Sequence, residues 1–274
     1  MGIGLLSPPI SPDARWRAAG SGGPQAGELL RRLQRGAWSP LQFRPDRTAY
    51  RVEIPRTAGD GDGEEPVFVK HYAPKGLAAR VRDFGLRRKP QRAFVLGHRL
   101  GRAGVGTPVP LGLFALGRGL WREALLVNEW VGPTRAWPEH LGREAPGKGA
   151  APGFREGVLS LARLLGALHR LGLYHGDLPG NLVFGAKGGR WRPFLVDLEE
   201  LHPRLSRRRR VKNLEELGRA LSDLTILSLR DRWDFIREYA GAAGLGASEP
   251  ATLWREGREA QRRRGRRARS RDRG

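Results

Sequence analysis

Cysteine is absent from all 274 residues, which excludes disulfides and thiolate-held metals and is compatible with a reducing compartment. Long uninterrupted apolar runs are missing as well. The richest stretch, "VLSLARLLGALHRLGL" (158–173), is broken by Arg163 and His169 and repeats at helical spacing, so it predicts a water-facing helix and not a membrane span. No charged start, apolar stretch and small-residue cleavage site occur together near Met1, so no signal peptide is expected. Acidic residues are scarce: 28 against 50 Lys and Arg leave a net charge of +22. Such a field attracts polyanions, whether nucleic acid, an anionic membrane face or a phosphorylated glycolipid, and repels cationic substrates. Part of it sits in "REGREAQRRRGRRARSRDRG" (255–274), where ten Arg oppose three acids. That segment reads as a solvated, disordered or frayed helical end, or as a tether to an anionic surface.

What is present is patterned. Gly and Pro dominate the start, after which "GELLRRLQRG" predicts a short helix ending at Gly36. "LQFRPDRTAYRVEIPR" predicts strand, turn and strand, "TAGDGDGEEP" a hairpin loop, and "PVFVKHY" a third strand with Lys70 near its end. Residues 76–103 are helical in tendency, interrupted by Gly85, Pro90 and Gly97. "GVGTPVPLGLFAL" and "WREALLVNEWV" read as a loop and two more strands, and 131–153 as a connection with a surface loop. Residues 154–171 form the clearest helix, with Leu161, Leu164, Leu165 and Leu168 on one face. "NLVF", the turn "GAKGG" and "RWRPFLVDL" predict a hairpin that ends in Asp197. Helices are expected at 211–229, opening with Asn213, and at 231–242. There is no internal repeat.

Between the long helix and that hairpin lies "LYHGDLPGNLVF" (173–184), which places His175, Asp177 and Asn181 on one loop. Phosphoryl transfer asks for a cation on the triphosphate, oxygen ligands for Mg²⁺, and a carboxylate to orient the attacking hydroxyl. The chain offers these in order: Lys70 on a strand, Asp177 and Asn181 on the loop, Asp197 at a strand end. Each has a plainer reading. Lys70 could be an edge charge, Asp177 and Asn181 turn residues. A carboxylate such as Asp197 that closes an apolar strand needs a partner. His169 and His175 lack a ligand set around them and read as structural.

The segments "VFVKHY", "LVNEWV", "ALHRLGLYHGDLPGNLVF" and "FLVDLEE" resemble the ordered landmarks of the protein-kinase-like fold. Within it, "VKHYAPKGLAARVRD", "RAFVLGHRLGRAGVGTPVPLG" and "RRRRVKNLEELGRAL" resemble flanking segments of the lipopolysaccharide core kinases, the Kdo/heptose kinase family. The resemblance spans roughly residues 40–230. It implies an α+β, bilobal protein-kinase-like fold: an N-terminal antiparallel sheet lobe with one major helix, and a mainly helical C-terminal lobe. The expected division is an N-terminal extension (1–36), an N-lobe (37–131), a C-lobe (132–250) and an Arg-rich tail (251–274). By the same resemblance, Lys70 would contact the phosphates of ATP, Glu129 to Val131 would lie beside adenine, and Asp177 would be the catalytic base. Asn181 and Asp197 would bind Mg²⁺, and His175 would brace the loop. The substrate would be the anionic core glycolipid, met by a peripheral protein on the cytoplasmic face of the bacterial inner membrane.

Three departures stand beside the resemblance. Asp177 and Asn181 are four residues apart, where the protein-kinase loop H-R-D-x-x-x-x-N puts them five apart. No G-x-G-x-x-G occurs in "FRPDRTAYRV", so the nucleotide loop would rely on backbone amides and on Arg47 and Thr48. The helix at 90–103 contains no glutamate for Lys70, and the nearest acid is Asp83. Two other functions fit the same residues. One is a small-molecule phosphotransferase of the aminoglycoside or choline type, which the charge of +22 opposes. The other is a catalytically silent kinase-like binder of an anionic partner. Nucleic acid is disfavoured as a partner because the body of the chain holds no reading module.

Overall fold

The computed structural model describes residues 17–18, 25–44, 47–55, 63–73, 88–116, 123–143, 152–187, 189–222 and 227–259. Most of the expected loop at 57–66, the basic segment 75–83, Gly85, the side chain of Arg47 and the tail beyond 259 lie outside these residues. The described residues fall into two compact units. One comprises those up to Arg99 with Pro108–Trp130; the other comprises Leu100–Thr107 with those from Val131 onward.

The first unit is a six-stranded antiparallel sheet of β1 (Arg17–Ala18), β2 (Ala37–Arg44), β3 (Arg47–Pro55), β4 (Glu64–Tyr72), β5 (Pro110–Leu116) and β6 (Glu123–Glu129). Its spatial order is β1-β5-β6-β4-β3-β2. Side chains alternate across a strand. Tyr50 and Val52 of β3 pair with Val69 and Val67 of β4, and Val69 pairs with Val127 of β6, so one face carries a continuous apolar patch. Helix α1 (Gln25–Arg35), which falls in the segment read as an extension, covers that patch with Ala26, Leu29, Leu30 and Leu33. Lys70 pairs with Ala49 and Leu126, one register step away, and therefore belongs to the opposite face. There its Nζ stands 5.6 Å from the centre of the Tyr72 ring. Helix α2 (Arg88–Arg102) carries no acidic residue, as its sequence required.

The second unit is built around α4 (Pro152–Arg170), whose Val158, Leu161, Leu165 and Leu168 are fully buried. Helix α6 (Leu229–Ala242) crosses it at Gly166. A Cβ there would stand 2.6 Å from both the Tyr239 carbonyl oxygen and the Ala242 Cβ, so only glycine permits this approach. A three-stranded sheet in the order β10-β9-β7 packs nearby: β7 (Thr134–Ala136), β9 (Leu182–Lys187) and β10 (Arg190–Leu195). The short strands β8 (Tyr174–His175) and β11 (Leu201–His202) form a separate antiparallel pair. Helices α3 (Trp137–Arg143) and α5 (Arg207–Ser222) and a last helix α7 at 249–259 complete the unit. The "GVGTP" motif is explained here. Gly106 lies against β10, where a Cβ would meet the Pro193 carbonyl at 2.5 Å, and the buried Thr107 hydroxyl donates to the Leu195 carbonyl at 3.0 Å.

Two expectations are corrected. Residues 131–143 are not a plain connection but hold β7 and α3. Helix α5 begins at Arg207, and Asn213 is a buried interior residue, not its opening. Residues 249–259 are helical, and the tail beyond 259 lies outside the described residues. Among the described residues no helix is long and apolar enough to cross a membrane.

Candidate active site

Two loops of the second unit are bounded by the same two ladders. At one end β8 pairs with β11, Leu201 opposite His175, and the Gly176 N–H extends the pairing to the Glu200 carbonyl at 3.0 Å. At the other end Leu182 faces Leu195, and the Val196 N–H donates to the Asn181 carbonyl at 2.9 Å. Residues 177–180 and residue 197 lie in the openings between those ladders. Antiparallel pairing on both sides therefore brings Asp177, Asn181 and Asp197 to one place although twenty residues separate the first from the last.

His175 joins the two loops from beneath. It is wholly buried. Its Nδ1 accepts the Asp177 N–H at 3.1 Å, which fixes the tautomer and leaves Nε2–H to donate to the Asp197 carbonyl at 3.3 Å. Burial holds its pKa below the ordinary histidine value, against the opposing pull of Asp197, Asp177 and Glu200. Asp197 itself sits in the left-handed region, φ 56° and ψ 52°. Aspartate tolerates that conformation better than most residues, and a non-glycine residue held there is characteristic of functional sites.

The loop is tightened by its own side chains. Pro179–Asn181 form a single 3₁₀ turn, and the Asn181 Nδ2–H donates back to the Asp177 carbonyl at 2.8 Å. That bond commits the amide nitrogen and turns Oδ1 into the free end of the side chain. Gly180 rests against the Asp177 carboxylate: a Cβ there would stand 3.1 Å from Oδ2. Trp137, buried at the start of α3, donates its Nε1–H to the Pro179 carbonyl at 2.9 Å.

A second layer lies behind. Asn213 is 1% exposed; its Nδ2 donates to the His175 carbonyl at 2.9 Å, and its Oδ1 accepts the His175 N–H at 3.3 Å. The same Oδ1 lies 3.3 Å from His169 Nε2, and His169 Nδ1 lies 2.7 Å from the Tyr239 hydroxyl. Tyr239 in turn accepts from Arg210 at 3.2 Å. Burial drives the His169 pKa down to about 3 and the Tyr239 pKa up to about 12, so both are neutral across the physiological range. Sequence reasoning missed Trp137 and misassigned Asn213. A Pro at the first turn after Trp137 is a helix-start signal that could have drawn attention to the former.

The remaining expected site residues are placed as follows. Lys70 stands half-buried on the face of the first sheet opposite the one α1 covers, between the buried Ala49 and Leu126. Glu129 ends β6, its N–H bonded to the Val109 carbonyl at 2.8 Å. Val131 belongs to the second unit, and its carbonyl is turned toward Gly185, where a Cβ would be only 2.6 Å away. For a hard divalent cation the donor set fits. Asn181 offers an amide oxygen, Asp197 a carboxylate on an adjoining strand end, and Mg²⁺ commonly takes one or two protein ligands and completes its shell with water and phosphate.

Comparison with known proteins finds clear relatives. The profile of the Lipopolysaccharide kinase (Kdo/WaaP) family matches residues 73–239. The 3-deoxy-D-manno-octulosonic acid kinases of Xanthomonas campestris pv. campestris strains B100 and 8004 are each 32% identical over 226 residues, covering 77% of this chain and 84% of theirs. Among solved structures, WaaP in complex with acyl carrier protein matches with a TM-score of 0.52 at 22% identity, over 82% of this chain and 90% of that one. The fold is protein-kinase-like.

Proposed function

We propose, from the premise that the chain belongs to the lipopolysaccharide kinase (Kdo/WaaP) family, that it transfers the γ-phosphoryl group of ATP to a hydroxyl of Kdo in the lipopolysaccharide inner core. The chain is a kinase that uses ATP and an alcohol acceptor, working on the lipopolysaccharide core. Kdo is preferred to heptose because the curated relatives at 32% identity are Kdo kinases.

The observation that carries the mechanism is the His175 bridge. One neutral imidazole holds the backbone of Asp177 and the backbone of Asp197 together. Asp177 is the catalytic base in this reading. Its carboxylate, confined by Gly180, accepts the proton of the acceptor hydroxyl as the oxygen attacks phosphorus, and the γ-phosphoryl group leaves ADP. Asn181 and Asp197 would hold Mg²⁺, which supplies neutralisation of the charge that develops on the phosphoryl oxygens. Lys70 would hold the triphosphate, and Glu129 and Val131 would border the adenine. The net charge of +22 supports peripheral attachment at the cytoplasmic face of the inner membrane, where each basic residue near an anionic leaflet contributes about 1 kcal/mol.

The test is transfer of labelled phosphate from ATP to Kdo-bearing core glycolipid, wild type beside Asp177→Asn, with Mg²⁺ supplied or chelated. Loss of the base should lower kcat by about 10²- to 10⁴-fold while ATP still binds. Undiminished transfer in the variant would remove Asp177 from the mechanism. Transfer to heptose alone would replace the acceptor.

A further inference from the structure

The run Arg207–Arg210 that opens α5 is not a uniform basic face. Arg207 is taken by Glu256 at 2.9 Å and Glu249 at 3.3 Å. Arg210 donates to Tyr239. Lys212, further along, pairs with Glu216 at 3.3 Å. Arg208 and Arg209 are exposed, and neither has a carboxylate partner among the described residues. Arg209 is nevertheless held in place. Its guanidinium lies 4.4 Å from the centre of the Tyr174 ring, one of its N–H groups donates to the Arg204 carbonyl at 3.2 Å, and Tyr174 stacks on His202 at 5.2 Å and 28°. The carbonyl of Arg204 is presented by a turn in which that residue, too, takes a positive φ of 65°.

We propose that the stacked trio Arg209, Tyr174 and His202 is an oxyanion platform for the acceptor glycan, binding a sugar carboxylate or a phosphate ester beside the hydroxyl that Asp177 addresses. This rests on the kinase reading above. A guanidinium held over an aromatic ring is oriented by it, and the N–H groups that Arg209 does not spend on the Arg204 carbonyl stay available to a carboxylate or phosphate. Its rotamers are restricted before the ligand arrives, so binding orders less side chain. The placement suits an acceptor. Tyr174 precedes Asp177 by three residues, so their Cα atoms are at most about 11 Å apart. His202 reaches the residue between them: its Nε2 lies 3.5 Å from where a Cβ of Gly176 would stand. Glu249 and Glu256 are both spent on Arg207, so neither neutralises Arg208 or Arg209, and the Glu200 carboxylate, 3.8 Å from the same Gly176 position, borders the platform on its other side.

The experiment compares full-length wild type with Arg209→Ala and Arg209→Lys on three acceptors: intact core glycolipid, its carboxyl-reduced form and its dephosphorylated form. Loss of a charge-assisted bond corresponds to about a 10- to 100-fold rise in KM. On the intact acceptor Arg209→Ala should show that rise with kcat and the Kd of ATP nearly unchanged, and Lys, which has no fork, should rescue little. The altered acceptor on which wild type and variant become equal identifies the source of the oxyanion. Equal KM on the intact acceptor, or the same rise on all three, overturns the platform. Should wild type transfer to none of them, the kinase reading fails separately. Equilibrium binding of the same glycolipids then decides: weaker binding by Arg209→Ala on the intact form upholds the platform, and equal binding overturns it.

Discussion

Replacing Asn213 by alanine should damage a loop that Asn213 belongs to only through hydrogen bonds. The amide satisfies both backbone groups of His175, a residue with no exposed surface, and also faces His169 Nε2. Truncation strands three buried polar groups. A stranded group costs about 1–3 kcal/mol, and two of these bonds, at 3.3 Å, are long enough to belong at the low end. Water entering the space would return part of the loss, so the expected destabilisation is about 2–4 kcal/mol, a large share of the roughly 5–15 kcal/mol a domain of this kind possesses. Urea unfolding followed by tryptophan fluorescence reads this as a lower midpoint at unchanged slope. Because His175 carries Asp177 and Asp197, kcat should fall as well, although Asn213 touches no substrate. A loss below about 0.5 kcal/mol together with unaltered kcat would refute the bracing argument.

Other consequences follow from the same contacts. His169 is protonated in the unfolded chain below pH 6.5 but in the fold only near pH 3; the unfolded state therefore binds the extra proton, and stability falls as pH drops from 6.5 toward 3. The loss is about 2 kcal/mol at pH 5, and urea midpoints should show a shallower pH slope in His169→Gln, an unchanged slope counting against the assignment. Gly180→Ala places a Cβ 3.1 Å from the Asp177 carboxylate; kcat should drop about tenfold with ATP affinity unaltered, measured by steady-state kinetics. Gly166→Val should separate α4 from α6 and lower stability by about 1–3 kcal/mol, checked by thermal unfolding.

The elements that were legible in the sequence are those whose pattern is local. The alternation in "AYRVEI" and the leucine spacing of α4 each state their own structure, and the order of Asp177, Asn181 and Asp197 located the loops. The hairpin was legible too, but its turn was read too wide, since Gly185–Lys187 of "GAKGG" are the end of β9, paired with Arg190–Arg192. What escaped was decided by distant partners. Thr134–Ala136 is a strand only because Val183–Gly185 offers it an edge. The helix expected from 211 begins already at Arg207, where Glu249 and Glu256 from α7 neutralise the first member of the basic run and the Ser206 hydroxyl accepts the Arg209 N–H at 3.3 Å as a cap would. Asn213 looked like a helix opening because asparagine favours that position, and its burial depends on a loop nearly forty residues upstream.

The short loop, which raised the reading of a silent binder, has a structural answer. With one residue fewer than the protein-kinase pattern, the chain from Asp177 to Asn181 has no slack to position two functional side chains independently. Here they are coupled: Leu178 leads into one 3₁₀ turn, Pro179 presets its first dihedral, and Asn181 closes it by bonding to the carbonyl of Asp177 itself. Trp137 holds the turn from outside and His175 from below. Shortening thus removes freedom without removing either polar group, and the Asn181 nitrogen is engaged while its amide oxygen is left to the role proposed for it. Lengthening the loop by one glycine after Gly180 should therefore cost activity and not restore it, since the turn would no longer end on Asn181. Transfer by the lengthened enzyme at or above the wild-type rate would show that the turn serves only to connect two strands.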